Sequence, residues 1–225
     1  MSGKEPARLT DIQKEILDSI KGIEESRAFY LTGGAALSIF HLNHRCSEDF
    51  DFFTANEELV QIFARKLSGE LAGRSFTVEI TRSFKSFVEM IVEKRGESMR
   101  IQLALDSPYR IEETREADGI FIDSLSDLAA GKLLALFGRA AERDFIDVYL
   151  IVKEGLFSLD EIIEKASLKD PGMDLYYLAV AFESVRRLPD DPSLLNLNLT
   201  KKVDMKELKE MFVKKAIEIV DRAKG

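Results

Sequence analysis

The feature that most constrains this chain is a pair of acidic residues two positions apart, Asp49 and Asp51, within an otherwise apolar run. Successive side chains of a β-strand point to opposite faces of a sheet. A strand here directs both carboxylates to one face and Phe50 and Phe52 into the core. Adjacent carboxylates repel each other unless a cation neutralises them. The spacing therefore suggests a site for a divalent cation, although it also fits the solvent face of an edge strand.

A second constraint is the Gly33-Gly34 pair, which follows an apolar run at residues 28–31 and precedes a predicted helix. Two glycines allow the backbone to approach a ligand closely, and the start of a helix offers free N–H groups and partial positive charge. This arrangement suits a triphosphate. An ordinary tight turn is the simpler interpretation of the Gly-Gly pair taken alone.

The periodicity of apolar residues places the strands in the first half of the chain and leaves the second half helical. Helices are predicted near residues 11–25, 35–42, 57–71, 126–137, 143–153, 159–166, 173–186 and 205–223, and strands near 28–31, 50–53, 76–81, 87–92, 99–105 and 120–122. Strands confined to one half favour an α+β fold over a doubly wound parallel sheet. We therefore expect a mixed core over residues 1–123 and a helical C-terminal domain over residues 124–225.

Composition excludes several classes of protein. No window approaches 18 consecutive apolar residues, so a membrane span is not expected, and residues 1–10 lack the apolar stretch of a secretory signal. The single cysteine, Cys46, permits no internal disulfide and fits a reducing compartment, which favours a cytoplasmic location. A net charge of −8 argues against a protein that mainly wraps nucleic acid, while leaving room for a local basic rim.

Several other residues allow both a functional and an ordinary interpretation. Candidates for a basic rim are Arg74, Arg82, Lys85, Lys94, Arg95 and Arg100, although solvated strand ends and turns are the favoured explanation of these residues. Phe84 and Phe87 suit base stacking, but their strand context favours the core. His41, His44 and Cys46 lie near the acidic pair, yet they lack the further ligands that a zinc site needs.

The run from Tyr30 to Phe53 resembles the signature of the AbiEii-type nucleotidyltransferases, which belong to the polymerase-β-like superfamily and include toxins of bacterial toxin–antitoxin systems. The matching residues are Thr32, Gly33, Gly34, Ala36, Leu37, His41, Arg45, Ser47, Glu48, Asp49, Asp51, Phe52 and Phe53. Ala35 stands where the family usually has threonine. A second block with family character contains Lys132, Arg139, Arg143, Asp144, Asp147 and Tyr149. The resemblance covers residues 29–151.

The spacing of the second block adds a physical argument. Seven residues separate Lys132 from Arg139, so both lie on one helix face and could meet phosphate oxygens together. Asp144 and Asp147 share a face near a predicted helix start, where carboxylates are also favoured by the helix dipole.

The resemblance implies a polymerase-β-like core, with a small mixed sheet flanked by helices, followed by a helical region. It implies transfer of a nucleoside monophosphate from an NTP to a hydroxyl of RNA (such as tRNA), a protein or a small molecule, and an antitoxin as a partner. Asp49 and Asp51 would hold Mg²⁺ or Mn²⁺. The implied catalytic residues are Asp49, Asp51, Lys132 and Asp144, and the implied nucleotide-binding residues are Gly33, Gly34, Ser47, Lys132 and Arg139.

The chain departs from the superfamily at a third carboxylate, which is expected on a neighbouring strand at the position of Gln102. Glutamine accepts a hydrogen bond but neither removes a proton nor offers a charge to a metal. Three alternatives are open: Asp106 takes that place, Asp144 or Asp147 substitutes for it, or the site is weakened. The resemblance favours Asp144. A weakened site corresponds to the alternative function, a member of the fold that binds a nucleotide or a partner without efficient catalysis.

Overall fold

The computed structural model of the chain describes residues 9–107 and 109–224. The chain divides into two compact units, Met1–Ser124 and Leu125–Gly225, one residue after the predicted boundary. Among the described residues, every strand lies in the first unit and the second unit is helical. This is the α+β organisation that the periodicity predicts. Most of the polar segment over residues 1–10 lies outside the described residues.

The first unit contains a seven-stranded mixed sheet in the order β3-β4-β5-β2-β1-β7-β6. The strands are β1 (Tyr30–Thr32), β2 (Asp49–Thr54), β3 (Thr77–Phe84), β4 (Phe87–Lys94), β5 (Glu97–Leu105), β6 (Arg115–Ala117) and β7 (Ile120–Ile122). The β1–β7 and β2–β5 pairs are parallel, and the other pairs are antiparallel.

One face of this sheet is apolar and is covered by helices. The helices of the unit are α1 (Asp11–Lys21), α2 (Gly33–Leu37) and α3 (Glu57–Gly73). The α3 helix contacts β2, β3, β4 and β5, and α1 contacts β7 and α3. The strand residues of this face are buried almost completely: Leu31, Phe50, Phe52, Val88, Met90, Ile101, Leu103 and Ile122.

The opposite face is formed by the residues that alternate with that apolar set, and we call it the polar face. It comprises Tyr30, Thr32, Asp49, Asp51, Phe53, Phe87, Glu89, Arg100, Gln102, Ala104 and Phe121. Most of these side chains keep intermediate exposure. Burial on one face and exposure on the other fix the register of the strands, because a slip of one residue would exchange the two sets.

The second unit consists of α4 (Leu125–Arg139), α5 (Glu142–Lys153), α6 (Leu159–Lys169), α7 (Leu175–Glu183) and α8 (Met205–Lys224). Three fully buried rings form the centre of its core. The ring centroid of Phe212 lies 4.9 Å from the ring centroid of Phe145 and 5.1 Å from that of Phe182. No helix in the described part of the chain has both the length and the apolar character needed to cross a membrane.

Most differences from the predicted elements lie at their ends. The first helix ends at Lys21, and a 3₁₀ turn at Glu24–Ala28 delays the first strand to Tyr30. The helix predicted from residue 35 begins at Gly33 and is α-helical only to Leu37, after which it continues as a π-helix. The strand β6 was not predicted, because a three-residue charged segment carries no periodic signal.

We predict that Phe212→Ala lowers the free energy of unfolding by about 3–5 kcal/mol, because it removes the ring that contacts both Phe145 and Phe182. Denaturant titration followed by circular dichroism measures the change. Ile217→Ala on the same helix is the matched control, since Ile217 is 52% exposed, and it should change stability by less than about 0.5 kcal/mol. Equal losses in the two variants would contradict this assignment of the core.

Candidate active site

The Gly-Gly turn begins at the end of β1 and lies against the acidic pair. Gly33 has a φ of +68°, a backbone conformation that side-chain-bearing residues rarely adopt. A Cβ atom added to Gly33 would lie 2.5 Å from Oδ2 of Asp51, and one added to Gly34 would overlap the guanidinium of Arg45. The turn therefore requires glycine at position 33, and it places main chain directly beside one of the two carboxylates.

The acidic pair emerges from β2 as the alternation predicts. Phe50 and Phe52 are buried on the apolar face, while Asp49 and Asp51 lie half-buried on the polar face. Ser47 precedes the strand and donates a hydrogen bond from Oγ to the carbonyl oxygen of Asp49 at 3.2 Å. The first unit thus brings Gly33, Ser47, Asp49 and Asp51 into one region.

Asp49 is paired with a cation on the neighbouring strand. Arg100 lies opposite Asp49 in the β2–β5 register, and its Nη2 donates to Oδ2 of Asp49 at 2.6 Å. This hydrogen bond raises the pKa of the guanidinium. The Nε atom of Arg100 is buried and has no hydrogen-bond partner among the described residues. An anionic ligand beside Asp49 would supply an acceptor for that atom.

The position expected for a third carboxylate is occupied by Gln102, which lies opposite Asp51 in the β2–β5 register. The Nε2 of Gln102 donates to Oε2 of Glu89 at 2.8 Å, and Oγ1 of Thr81 donates to Oε1 of the same carboxylate at 2.8 Å. These hydrogen bonds, with that from Gln102 the larger influence, lower the pKa of Glu89. An ionised carboxylate therefore lies one strand beyond the expected position.

These residues belong to a continuous row across the polar face, which we call the polar row: Asp123, Thr32, Asp51, Gln102 and Glu89. From β1 to β4, each residue is the register partner of the next. The backbone N–H of Asp123, the residue directly after β7, donates to the carbonyl oxygen of Leu31 at 2.9 Å, which places Asp123 at the other end of the row. The Thr32 hydroxyl also donates to Oδ2 of Asp123 at 2.7 Å. The row contains three carboxylates, of which sequence analysis identified only Asp51.

Glu89 and Asp123 were missed because nothing local distinguishes them from other acidic residues near strands. A weak signal was available for Glu89, since it lies between Val88 and Met90, which are apolar and point the other way. Asp106, one of the proposed substitutes for the third carboxylate, lies elsewhere. It follows β5 four residues after Gln102, about 13 Å along an extended chain, and accepts a hydrogen bond from the Tyr30 hydroxyl.

The second unit holds its predicted site residues in buried ion pairs. Nζ of Lys132 lies 2.6 Å from Oδ2 of Asp147, whose side chain is completely buried. Arg139 donates from Nε and Nη2 to both oxygens of Asp144, at 2.7 and 2.8 Å, and Asp144 is also completely buried. The two cations of α4 therefore pair with the two acids of α5. Each of the four residues therefore has a structural role in this unit, which is separate from any contact with a ligand.

The remaining candidate metal ligands near the acidic pair include His41 and Cys46. Burial and, to a smaller extent, the charge of Arg115 lower the pKa of His41 to about 4, so this imidazole is neutral at physiological pH. Cys46 is exposed and is not in a disulfide. Across the residues that the structure describes, no three His, Cys, Asp or Glu side chains are grouped to hold a metal ion.

The basic residues suggested as a rim all have acidic partners, and Lys94 and Arg95 share one. Each lies within ion-pair distance of a carboxylate: Arg74 with Glu70, Arg82 with Glu89, Lys85 with Glu57, Lys94 and Arg95 with Glu15, and Arg100 with Asp49. This pairing favours ordinary surface charges over a continuous basic rim. The expectation that Phe84 lies in the core is wrong, because its side chain is 64% exposed.

Comparison with known proteins identifies the family of the chain. A family model described as "Nucleotidyl transferase AbiEii toxin, Type IV TA system" matches residues 15–221. The uncharacterised protein aq_aa25 of Aquifex aeolicus is 27% identical over 182 residues, which are 80% of this chain and 85% of that protein.

Two solved structures share the fold. JHP933 from Helicobacter pylori superimposes with a TM-score of 0.63 at 18% identity, covering 96% of this chain and 95% of that one. MenT4, a nucleotidyltransferase toxin from Mycobacterium tuberculosis, superimposes with a TM-score of 0.55 at 15% identity, covering 92% and 82%. Because the family model spans most of the sequence, the chain belongs to the AbiEii family of nucleotidyltransferase toxins.

Proposed function

We propose that this protein transfers a nucleoside monophosphate from an NTP to a hydroxyl group, as the toxin of a toxin–antitoxin system in the cytoplasm. The observation that carries the proposal is the position of Asp51. Its carboxylate leaves β2 beside Asp49 and lies against Gly33, in the turn where main chain approaches most closely. Membership of the AbiEii family supports the same reaction class.

The residues present fit a divalent cation. Mg²⁺ is commonly held by one or two carboxylates together with substrate phosphates, and Asp49 and Asp51 supply two such groups on the polar face. Mn²⁺ accepts the same oxygen ligands. When bound with the triphosphate, the metal would neutralise the charge that develops on the α-phosphate. Arg100 neutralises Asp49 in this structure, and we propose that its half-buried guanidinium exchanges this partner for a phosphate oxygen when the triphosphate binds.

The reaction joins the acceptor oxygen to the α-phosphorus as the bond to pyrophosphate breaks, and the proton of the acceptor hydroxyl passes to solvent water. Gly33 and Gly34 offer a closely approaching backbone for the β- and γ-phosphates. Because an ionised carboxylate accepts hydrogen bonds only, the amide nitrogen of Gln102 must face Glu89, and its oxygen is directed away. We propose that this oxygen accepts the hydrogen bond of the attacking hydroxyl, with Glu89 fixing the orientation of the amide.

Residues of the second unit are proposed to complete the reaction. Lys132 and Arg139 would supply positive charge to the phosphates, and Asp144 would orient the acceptor, as the family resemblance implies. Each of these roles requires the side chain to loosen an ion pair, because Lys132 is bound to Asp147 and Arg139 to Asp144. A triphosphate, with several negative charges, is a ligand able to compete for the two cations.

The presence of Gln102 in place of a carboxylate supports one alternative, a protein that binds a nucleotide or an antitoxin without efficient transfer. The two functions differ in one measurement. A binding protein would show a melting temperature that rises with NTP concentration, yet would form no labelled product with RNA, protein or small-molecule acceptors. An enzyme would show both effects.

We predict that Asp51→Asn lowers the transfer of label from an α-labelled NTP by at least about a hundredfold, since several kcal/mol of charge stabilisation depend on the metal ligands. The reaction contains Mg²⁺, each NTP in turn and total RNA, with protein and small-molecule acceptors tested in parallel. Asp49→Asn should have the same effect. Glu97→Gln, at an exposed carboxylate of the same sheet, is the matched control and should retain activity. Equal labelling by Asp51→Asn and wild type would remove the assignment.

A second prediction separates the structural role of Lys132 from its role with nucleotide. Lys132→Met should lower the unfolding free energy by about 3–5 kcal/mol, because it leaves the buried Asp147 without its cation. The double variant Lys132→Met/Asp147→Leu should recover much of that stability, since it removes both charges. Denaturant titration measures these changes.

Nucleotide affinity, measured by equilibrium binding at a temperature where both variants are folded, then gives the second readout. If Lys132 contacts phosphates, the dissociation constant should rise about tenfold or more in the single and the double variant alike. Wild-type affinity in the stabilised double variant would show that Lys132 acts only in packing.

A further inference from the structure

A row of aromatic side chains crosses the polar face beside the polar row. Following the register from β7 to β3, its members are Phe121, Tyr30, Phe53, Ala104, Phe87 and Phe84. We call this the aromatic row. It is displaced from the polar row by two residues along each strand, which corresponds to about 7 Å. Five of its six positions are aromatic.

This row is not a part of the core. Phe84 is 64% exposed, and Phe53, Phe87 and Phe121 keep intermediate exposure. Only Tyr30 is buried, and the guanidinium of Arg110 lies over its ring, 4.2 Å from the centroid. The neighbouring residues that point the other way, such as Val88 and Leu103, are completely buried. Four rings of the row therefore lie on the polar face outside the core.

The position of Ala104 shapes the row. Its short side chain lies between Phe53 and Phe87 in the register, so two rings flank a recess about two strand spacings, or roughly 10 Å, wide. A planar group that enters this recess meets aromatic carbon on both sides. The uncovered part of the row, from Phe53 to Phe84, spans three strand spacings, or about 14 Å, which is too long for a single base and matches several consecutive bases.

Resting on the proposed function, we infer that the aromatic row is a stacking surface for the bases of a single-stranded RNA, whose terminal hydroxyl is the acceptor. Every base has an aromatic face, and stacking on protein rings supplies affinity with little sequence preference. Sheets that carry exposed rings recognise unpaired bases in this way. The adjacent polar row places the reacting groups one repeat further along the strands.

The charged residues near the aromatic row show that it differs from a surface that binds RNA mainly through positive charge. The cations at its edge are already paired, Arg82 with Glu89 and Lys85 with Glu57. The net charge of the chain is −8. Affinity for RNA should therefore arise mainly from stacking, depend weakly on salt, and fall when the bases are paired in a duplex, where their faces are covered.

The test is fluorescence anisotropy of a labelled single-stranded hexaribonucleotide with the full chain, in the absence of NTP and divalent metal. We expect Phe84→Ala to raise the dissociation constant about fivefold or more, and Phe84→Trp to keep the wild-type value. Ile80→Ala is the matched control, because Ile80 belongs to the same strand, is 48% exposed, and pairs with Met90 on the apolar face. It should bind as wild type.

A second variant tests the recess. Ala104→Leu keeps every ring but fills the space between Phe53 and Phe87, so it should weaken binding at least as much as Phe84→Ala. Circular dichroism melting confirms that each variant is folded. The inference is overturned if wild type does not bind the oligonucleotide, as expected for a face that receives a protein instead, or if duplex RNA binds equally well. It is also overturned if Ile80→Ala loses as much affinity as Phe84→Ala.

Failure of this inference is separable from failure of the proposed function, because binding is measured without the reaction. Transfer of label that depends on Asp51, together with RNA binding that ignores Phe84, would retain the enzyme and remove the stacking surface. RNA binding that depends on Phe84, without transfer to any acceptor, would retain the surface and remove the enzyme.

Discussion

The register between β1, β2 and β5 is the constraint on which the candidate site depends. It sets Asp51 opposite Thr32 on one side and Gln102 on the other, and it brings Gly33 against the carboxylate. A slip of one residue would turn the acids into the core and the phenylalanines into solvent. Burial of Phe50 and Phe52 opposes such a slip. The free energy that folds the sheet thus also aligns the groups proposed to act on the nucleotide.

Charge in both units is held in specific pairs. In the first unit Arg100 neutralises Asp49, and in the second unit two cations of α4 meet two buried acids of α5. Buried ion pairs contribute little net stability, because desolvation offsets their attraction, but removing one partner is costly. Such pairs therefore fix geometry before a ligand arrives. In the proposed function, a polyanionic nucleotide would meet cations that are already positioned and would replace their present acidic partners.

Local patterns were enough to predict much of this molecule. Alternation around Asp49 and Asp51 predicted their shared face, and the change from strand to helix periodicity predicted the α+β fold class. What sequence could not show depends on residues far apart in the chain. Gln102 meets Glu89 only through the β4–β5 register.

The error over Phe84 has a specific cause. Simple alternation from Ile80, which pairs with the core residue Met90, would direct Phe84 into the core as well. A register shift between Ile80 and Arg82 reverses the faces, so that Arg82 and Phe84 point to the polar side. One extra residue in a strand reverses the faces of the residues that follow it, and no local property of the sequence predicts this register shift.

The same irregularity has a consequence for the behaviour of the protein at high concentration. The β3 strand is the outermost strand on its side of the sheet, and it leaves Ile80 and Phe84 exposed. A straight, apolar edge strand of this kind would pair with the same strand of another copy and start fibrous assembly. The kink at Thr81, followed by Arg82 and Lys85, interrupts the apolar edge strand. Removing Thr81 would straighten the strand, place Phe84 on the same face as Ile80, and favour edge-to-edge pairing of this strand between copies.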